Sequence, residues 1–200
     1  MASTTERPAL QRSAIIDAAR EMIVTGGLEA LSLRRLARQL GVTAPALYGH
    51  VRSKQDLLDA IAEAEIEHLA ARFTEVGDAD PIDRIRAHGR AYITYARENP
   101  ELFQVMLLAP PALPDSGLPE ESVAPSTTNA FATAAGAIGD AIAAGSLTDG
   151  DPQMIALMLW SGAHGVATVL QLGLDLPPEL EDAMIAEMTD RLLAGYGHRG

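Results

Sequence analysis

Cysteine is absent from this chain of 200 residues. Its absence excludes a disulfide frame, a thiolate zinc site and a thiol nucleophile, and it fits a reducing cytoplasm, the compartment expected here. Enzyme signatures are missing too. There is no Gly-x-Ser-x-Gly, no His-Glu-x-x-His, no phosphate-cradling glycine loop and no Gly-x-Gly-x-x-Gly that opens a helix after a strand. A single Glu-x-x-His occurs, at Glu65 to His68. A di-iron bundle needs two such motifs and two further carboxylates, so this one reads as a solvated face or a pocket edge. His68, His88 and His164 are scattered without ligand spacing, and neither a metal nor a cofactor is expected. The opening stretch MASTTERPALQRSA has no apolar core and does not read as a secretory signal. No internal repeat and no convincing strand pattern appears.

Charge is present but divided. The net charge is −12, yet residues 1–54 hold eight basic side chains against four acids, a surplus of +4 that leaves −16 for the remainder. Such a split suggests one end that faces nucleic acid and one acidic, soluble end. Nearly half of the residues are hydrophobic (48%), enough for one small domain and a larger one.

The most informative stretch is Leu31 to Lys54. Leu33, Leu36, Ala37 and Leu40 recur at helical spacing, with Ser32 placed to cap and Gly41 to end the helix. Thr43 can cap a second short helix with Pro45 in its first turn, and Leu47 and Val51 are its inward residues. Val42 can plug the corner. Two short helices joined through a glycine-containing turn make a helix-turn-helix, whose second helix enters a DNA major groove.

This run resembles the N-terminal domain of TetR-family transcriptional repressors. The resemblance rests on Gly26, Gly27, Leu28, Leu31, Ser32, Arg34, Leu36, Ala37, Leu40, Gly41, Val42, Ala46, Leu47, Tyr48, His50, Val51, Lys54, Leu57 and Leu58. It covers about the first third of the chain. It implies that Arg34, Ala44, Pro45, Ala46, Tyr48, His50 and Lys54 face an operator. The residue chemistry adds detail. Ser32 and Thr43 offer hydroxyls. Tyr48, His50 and Lys54 can bind phosphate, and Arg34 suits bidentate contact with guanine. Ala44 and Ala46 can touch only apolar atoms such as a thymine methyl, so base reading leans on Arg34 and DNA shape. Arg38 reads as a solvated charge.

The remaining elements are read in order. Helix one is expected from Leu10 to Thr25, and residues 1–8 as an arm. Ser53 to Asp56 forms a capping-box-like start to helix four, which runs to about Phe73. Asp80-Pro81 starts helix five, which ends near Asn99-Pro100, and Glu101 to Leu108 is a short helix. Ala109 to Thr128 is expected as a long loop, Ala130 to Gly145 as an Ala-rich helix, and Glu179 to Leu193 as the last helix. Leu180, Met184, Met188 and Leu192 form its stripe. From Pro152 to Leu174 no side chain is acidic or basic, with His164 counted as neutral. Glycines and polar residues interrupt that run and basic flanks are missing, which argues against a membrane span. A helix apolar on all sides is then buried on all sides, against its own domain and against a partner subunit.

The fold expected is all-α: an N-terminal three-helix helix-turn-helix domain over 9–70, and a larger helical ligand-binding and dimerisation domain over 71–200. Tyr92, Phe103, Met106, Leu107, Trp160 and His164 are candidates to line an apolar pocket, with Tyr95 and Met158 as further aromatic and soft side chains. The alternative for each is core or dimer packing. The run WSGAHG resembles a Trp-His-Gly signature of one TetR subgroup. The resemblance implies a homodimer through the last two helices, a near-palindromic double-stranded DNA operator, and a small apolar effector that shifts helix four. A dimeric helical ligand-binding or interaction protein with weak or lost DNA readout is the alternative.

Overall fold

The computed structural model describes residues 10–75, 80–108 and 125–197. In chain order these form α1 (Arg12–Gly26), a 3-10 turn (Leu28–Ala30), α2 (Leu33–Leu40), α3 (Ala44–Tyr48), α4 (Lys54–Thr74) and α5 (Pro81–Glu98). They continue with α6 (Pro100–Leu108), α7 (Pro125–Ala143), α8 (Pro152–Leu170) and α9 (Pro178–Gly195). The fold is all-α, with a helix-turn-helix end and a larger helical body.

Local chemistry starts and stops most of these helices. The Thr43 side chain accepts from the Ala46 N–H at 3.4 Å, and that of Ser53 from the Asp56 N–H at 3.0 Å. Asp80 and Asp151 accept from Ile82 and Gln153, each followed by a proline whose missing N–H costs nothing. Gly41 sits at φ 64°, ψ 33°, the left-handed conformation that lets α2 turn sharply into α3. Ser32 departs from expectation. It occupies the cap position of α2 through its backbone, but its hydroxyl caps nothing.

Two cores meet along α4. Ile15, Ile23, Leu36, Leu47, Val51, Leu57 and Ile61 close the small end, with Leu102 and Val105 reaching in from α6. Ile66 and Leu69, two turns further along α4, belong to the core of the body with Ile93, Phe103, Ala163 and Ile185. A third cluster joins α5, α7, α8 and the end of α9 around Ile85, Ile138 and Leu193. Both α4 and α6 therefore carry side chains into each end of the molecule. Helices with packed faces in two cores transmit a shift from one to the other, because close-packed interiors do not absorb it.

Three expectations are corrected. Helix α7 starts at Pro125, five residues early, so residues 125–128 of the expected loop are helical; residues 109–124 lie outside the described residues. The cause is remote in sequence: Glu63 on α4 accepts the Ser126 N–H at 3.0 Å and satisfies the first turn. Helix α8 ends at Leu170 rather than Leu174, because the chain reverses through Gly173 at φ 68°. On α9 the inward face is Ile185, Thr189 and Leu193, while Leu180 is exposed and Met184, Met188 and Leu192 are half-buried. A row of residues four apart drifts around a 3.6-residue helix, so position relative to α5 and α8 decides burial. Gly89 fixes that position: a Cβ there would collide with Thr189 Oγ1, so α5 and α9 touch backbone to side chain.

Candidate functional site

The small end presents a polar, unpacked surface. Leu47 and Val51 are fully buried and anchor α3, as their spacing required. Ala44, Pro45, Ala46, Tyr48 and His50 are all exposed, Tyr48 at 53%. Thr43, Arg34 and Lys54 are exposed beside them, and Ser32 is half-buried. Arg34, Arg38 and Lys54 have no ion-pair partner among the described residues. Lys54 is the only lysine in the chain.

Arg12 and Asp56 hold this surface in place. The Arg12 guanidinium donates to the His50 carbonyl at 2.6 Å and pairs with Asp56 at 3.3 Å. The Asp56 carboxylate accepts the Arg52 N–H at 2.8 Å, and that bond, with help from Arg12, holds its pKa below the usual range. In the capping box the acid was expected to reach back to the cap residue; it reaches one residue beyond, to Arg52. Neither Arg12 nor Asp56 had a periodic signal marking it as a brace for α3.

Glu65 overturns its own expectation. It is neither solvated nor a pocket edge but fully buried. Arg20 of α1 donates to it at 2.5 Å, Tyr95 of α5 donates its hydroxyl, and His68 lies 3.8 Å away. The Glu65 hydrogen bond raises the pKa of Arg20; burial, then the same carboxylate, raises that of Tyr95. One carboxylate thus ties α1, α4 and α5 together.

Inside the body lies a cavity of about 210 Å3. Ile66, Leu69 and Phe73 of α4 form one wall; His88 and Tyr92 of α5 form the next. Trp160, Ala163 and His164 of α8 face Phe131 and Ala134 of α7, with Met106, Leu107, Thr127 and Thr189 at the margins. Five of the six sequence candidates line it. Phe103 does not: it is buried behind the wall, edge-on to Tyr92 at 5.7 Å. Tyr95 and Met158 are absent from the lining, Tyr95 being bound to Glu65 and Met158 exposed on the outer face of α8. His88, Phe73, Phe131, Thr127 and Thr189 went unselected by sequence. The polar ones sit at core positions of amphipathic helices, which is the only signal that singles them out.

Burial disfavours the charged form of both cavity histidines. His88 Nε2 bonds the Phe73 carbonyl at 3.2 Å and its ring stacks on Phe73 at 4.6 Å. His164 Nδ1 bonds the Tyr92 hydroxyl at 2.8 Å. Burial lowers the pKa of each below the ordinary 6.5. The unfolded chain then binds protons first as pH falls below that value, so stability should decline from pH 7 to 5.5. Urea unfolding at both pH values checks this, and His88→Gln should show a smaller decline than the wild type. Equal declines would remove His88 from the account.

The outer face of α8 is charge-free. Met154, Met158, Ser161, Gly165 and Thr168 recur at spacings of four and three and are all exposed. Leu172, Leu174 and Leu180 beyond them are exposed too. The helix is long and apolar enough to cross a membrane by length and composition, and only about 22% of its apolar stretch is buried in the single chain.

A helix-turn-helix end with free cations, carried by a helical body with an apolar cavity, defines a DNA-binding regulator rather than an enzyme. Comparisons with known proteins agree. Residues 15–61 match the family described as "Bacterial regulatory proteins, tetR family", and residues 85–192 match "Tetracyclin repressor-like, C-terminal domain". The chain belongs to the TetR family of transcriptional regulators. It is 54% identical over 55 residues to the Escherichia coli tetracycline repressor protein class C, covering 28% of this chain and 25% of that one. It is 28% identical over 195 residues to the uncharacterized HTH-type transcriptional regulator Rv0681 of Mycobacterium tuberculosis, covering 96% and 85%. A solved protein of unknown function from Rhodococcus sp. RHA1 superposes with a TM-score of 0.77 at 28% identity, covering 96% and 99%. The match to that tetracycline repressor thus spans a quarter of that protein.

Proposed function

We propose that this protein is a ligand-responsive repressor that binds a near-palindromic operator as a homodimer. The carrying observation is the exposed Tyr48–His50 face of α3, flanked by Arg34 and Lys54, on a helix whose inward positions are already filled. Tyr48, His50, Lys54, Thr43 and Ser32 bind phosphates and set the register, Ala44, Pro45 and Ala46 lie against the groove, and Arg34 reads a guanine. Two copies of α3 occupy successive major grooves about 34–36 Å apart. The charge-free outer face of α8, together with α9, supports the dimer. The domain division near residue 70 falls within α4, and an effector in the cavity shifts α4 through Ile66, Leu69 and Phe73. Coupling of roughly 1–3 kcal/mol follows for such two-site systems. The site of action is the cytoplasm.

Tyr48→Phe is expected to weaken binding to all sequences about equally, whereas Arg34→Ala relaxes preference at one base pair, with a cost of about 1–3 kcal/mol. Binding selections on randomised duplexes read both. An Arg34→Ala variant with unchanged sequence preference would remove Arg34 from the base-reading role. The small side chains at Ala44 and Ala46 favour a second reading, a dimeric ligand-binding protein with weak DNA readout. A salt titration against competitor DNA separates the two, since operator binding survives competitor and falls steeply with salt.

A further inference from the structure

We infer that the cavity takes an uncharged, compact ligand of one or two aromatic rings, bearing a polar atom that bonds the Thr127 hydroxyl. This rests on reading the cavity as the effector site and specifies what the site selects.

Four observations converge. No Asp, Glu, Lys or Arg lines the cavity among the described residues. An ion moved there from water would lose its hydration without gaining a counter-charge among the described residues. The volume of about 210 Å3 exceeds the ~150 Å3 known to hold a benzene, so one or two rings fit. Aromatic rings stand on two sides. Phe73 and His88 stack at 4.6 Å on one; Trp160 lies 5.9 Å from Phe131 and 5.0 Å from His164 on the other. Flat apolar rings pack between such walls in offset or edge-on contact.

The polar requirement comes from Thr127. Thr127 is one of the residues that line the cavity, and its Oγ1 is buried with no hydrogen-bond partner among the described residues. The residue is 4% exposed. Buried hydroxyls are nearly always satisfied, so an unsatisfied one on a residue that lines a cavity points to a ligand atom as its partner. The other polar groups are already committed on one side. His88 Nε2 must donate to the Phe73 carbonyl, which leaves Nδ1 with a lone pair. The Tyr92 hydroxyl and His164 Nδ1 bond each other, which commits one side of each group. The cavity therefore offers a few directional polar atoms in apolar walls, which orient a neutral molecule and reject an ion.

Three near-isosteric probes test this by calorimetry at pH 7.5: 2-acetylnaphthalene (uncharged), 2-naphthoate (anionic) and 2-naphthylmethylammonium (cationic). The uncharged ketone should bind roughly 100-fold more tightly than either ion. Thr127→Val should weaken the ketone about three- to tenfold and leave 2-methylnaphthalene unchanged. It should also keep or raise Tm in the free protein, since it removes an unsatisfied hydroxyl. Ala134→Leu, which fills the cavity, should abolish binding of both neutral compounds. Equal or tighter binding of an ion overturns the ligand class. So does a ketone affinity that ignores Thr127→Val. If none of the probes binds at millimolar concentration, the cavity is no ligand site and the inference fails with it. Ketone binding that leaves operator affinity unchanged supports the ligand class and sinks the effector reading instead.

Discussion

A chain carrying Met158→Lys and Thr168→Lys is expected to elute as a monomer and to lose operator affinity by roughly 10²–10⁴-fold. Both positions lie on the exposed stripe of α8 that also holds Met154, Ser161 and Gly165. Across a two-fold axis each lysine meets its own copy or a near neighbour, so four like charges enter two α8 stripes that now carry none. Nothing inside the chain should suffer, because both side chains are already exposed. Circular dichroism and Tm, measured as a control, should therefore match those of a folded chain. The loss of affinity follows from valency: the second α3 no longer arrives at a high effective concentration. Light scattering coupled to gel filtration reads the first effect and a fluorescence-anisotropy titration reads the second. A variant that remains dimeric would move the dimer interface away from α8.

The largest single-site effect on stability is expected at Arg20. Arg20→Met leaves the Glu65 carboxylate fully buried with Tyr95 as its principal remaining donor. Stranding one member of a buried pair costs about 3–5 kcal/mol. Removing the acid should cost less. Arg20 is already 39% exposed and after Glu65→Leu can turn to water, which leaves only the Tyr95 hydroxyl unsatisfied, for about 1–3 kcal/mol. The triple variant Arg20→Met, Glu65→Leu, Tyr95→Phe should recover most of the deficit, because replacing a whole buried polar set with apolar groups is often neutral or better. Urea unfolding of the series decides. If Glu65→Leu is worse than Arg20→Met, packing at Glu65 outweighs its charge.

What the sequence made legible was what local rules control. Gly41, Thr43, Leu47 and Val51 act over a few residues, and the turn and α3 stand where those residues put them. The candidate cavity was partly legible, since Trp160 and His164 share a helical face and do meet Tyr92. The rest depended on partners far along the chain. Glu65 looks like any surface acid until Arg20 and Tyr95 arrive from residues 45 and 30 positions away. The start of α7 needed Glu63, 63 residues earlier. Thr189 reads as an interruption in an apolar helix until Gly89 and the cavity lie opposite it.

Helix α8 has two occupied sides. Its inner side chains, Ala156, Leu159, Trp160, Ala163 and His164, line the cavity, and its outer ones form the uncharged stripe. In the proposed dimer few positions along it remain where a substitution would go unnoticed by selection. A change that reshapes the cavity from this side also moves the backbone against the other protomer. Divergence toward a new effector should therefore accumulate on the opposite walls, at Leu69, Phe73, Phe131 and Ala134, while α8 varies little among descendants that keep the same dimer.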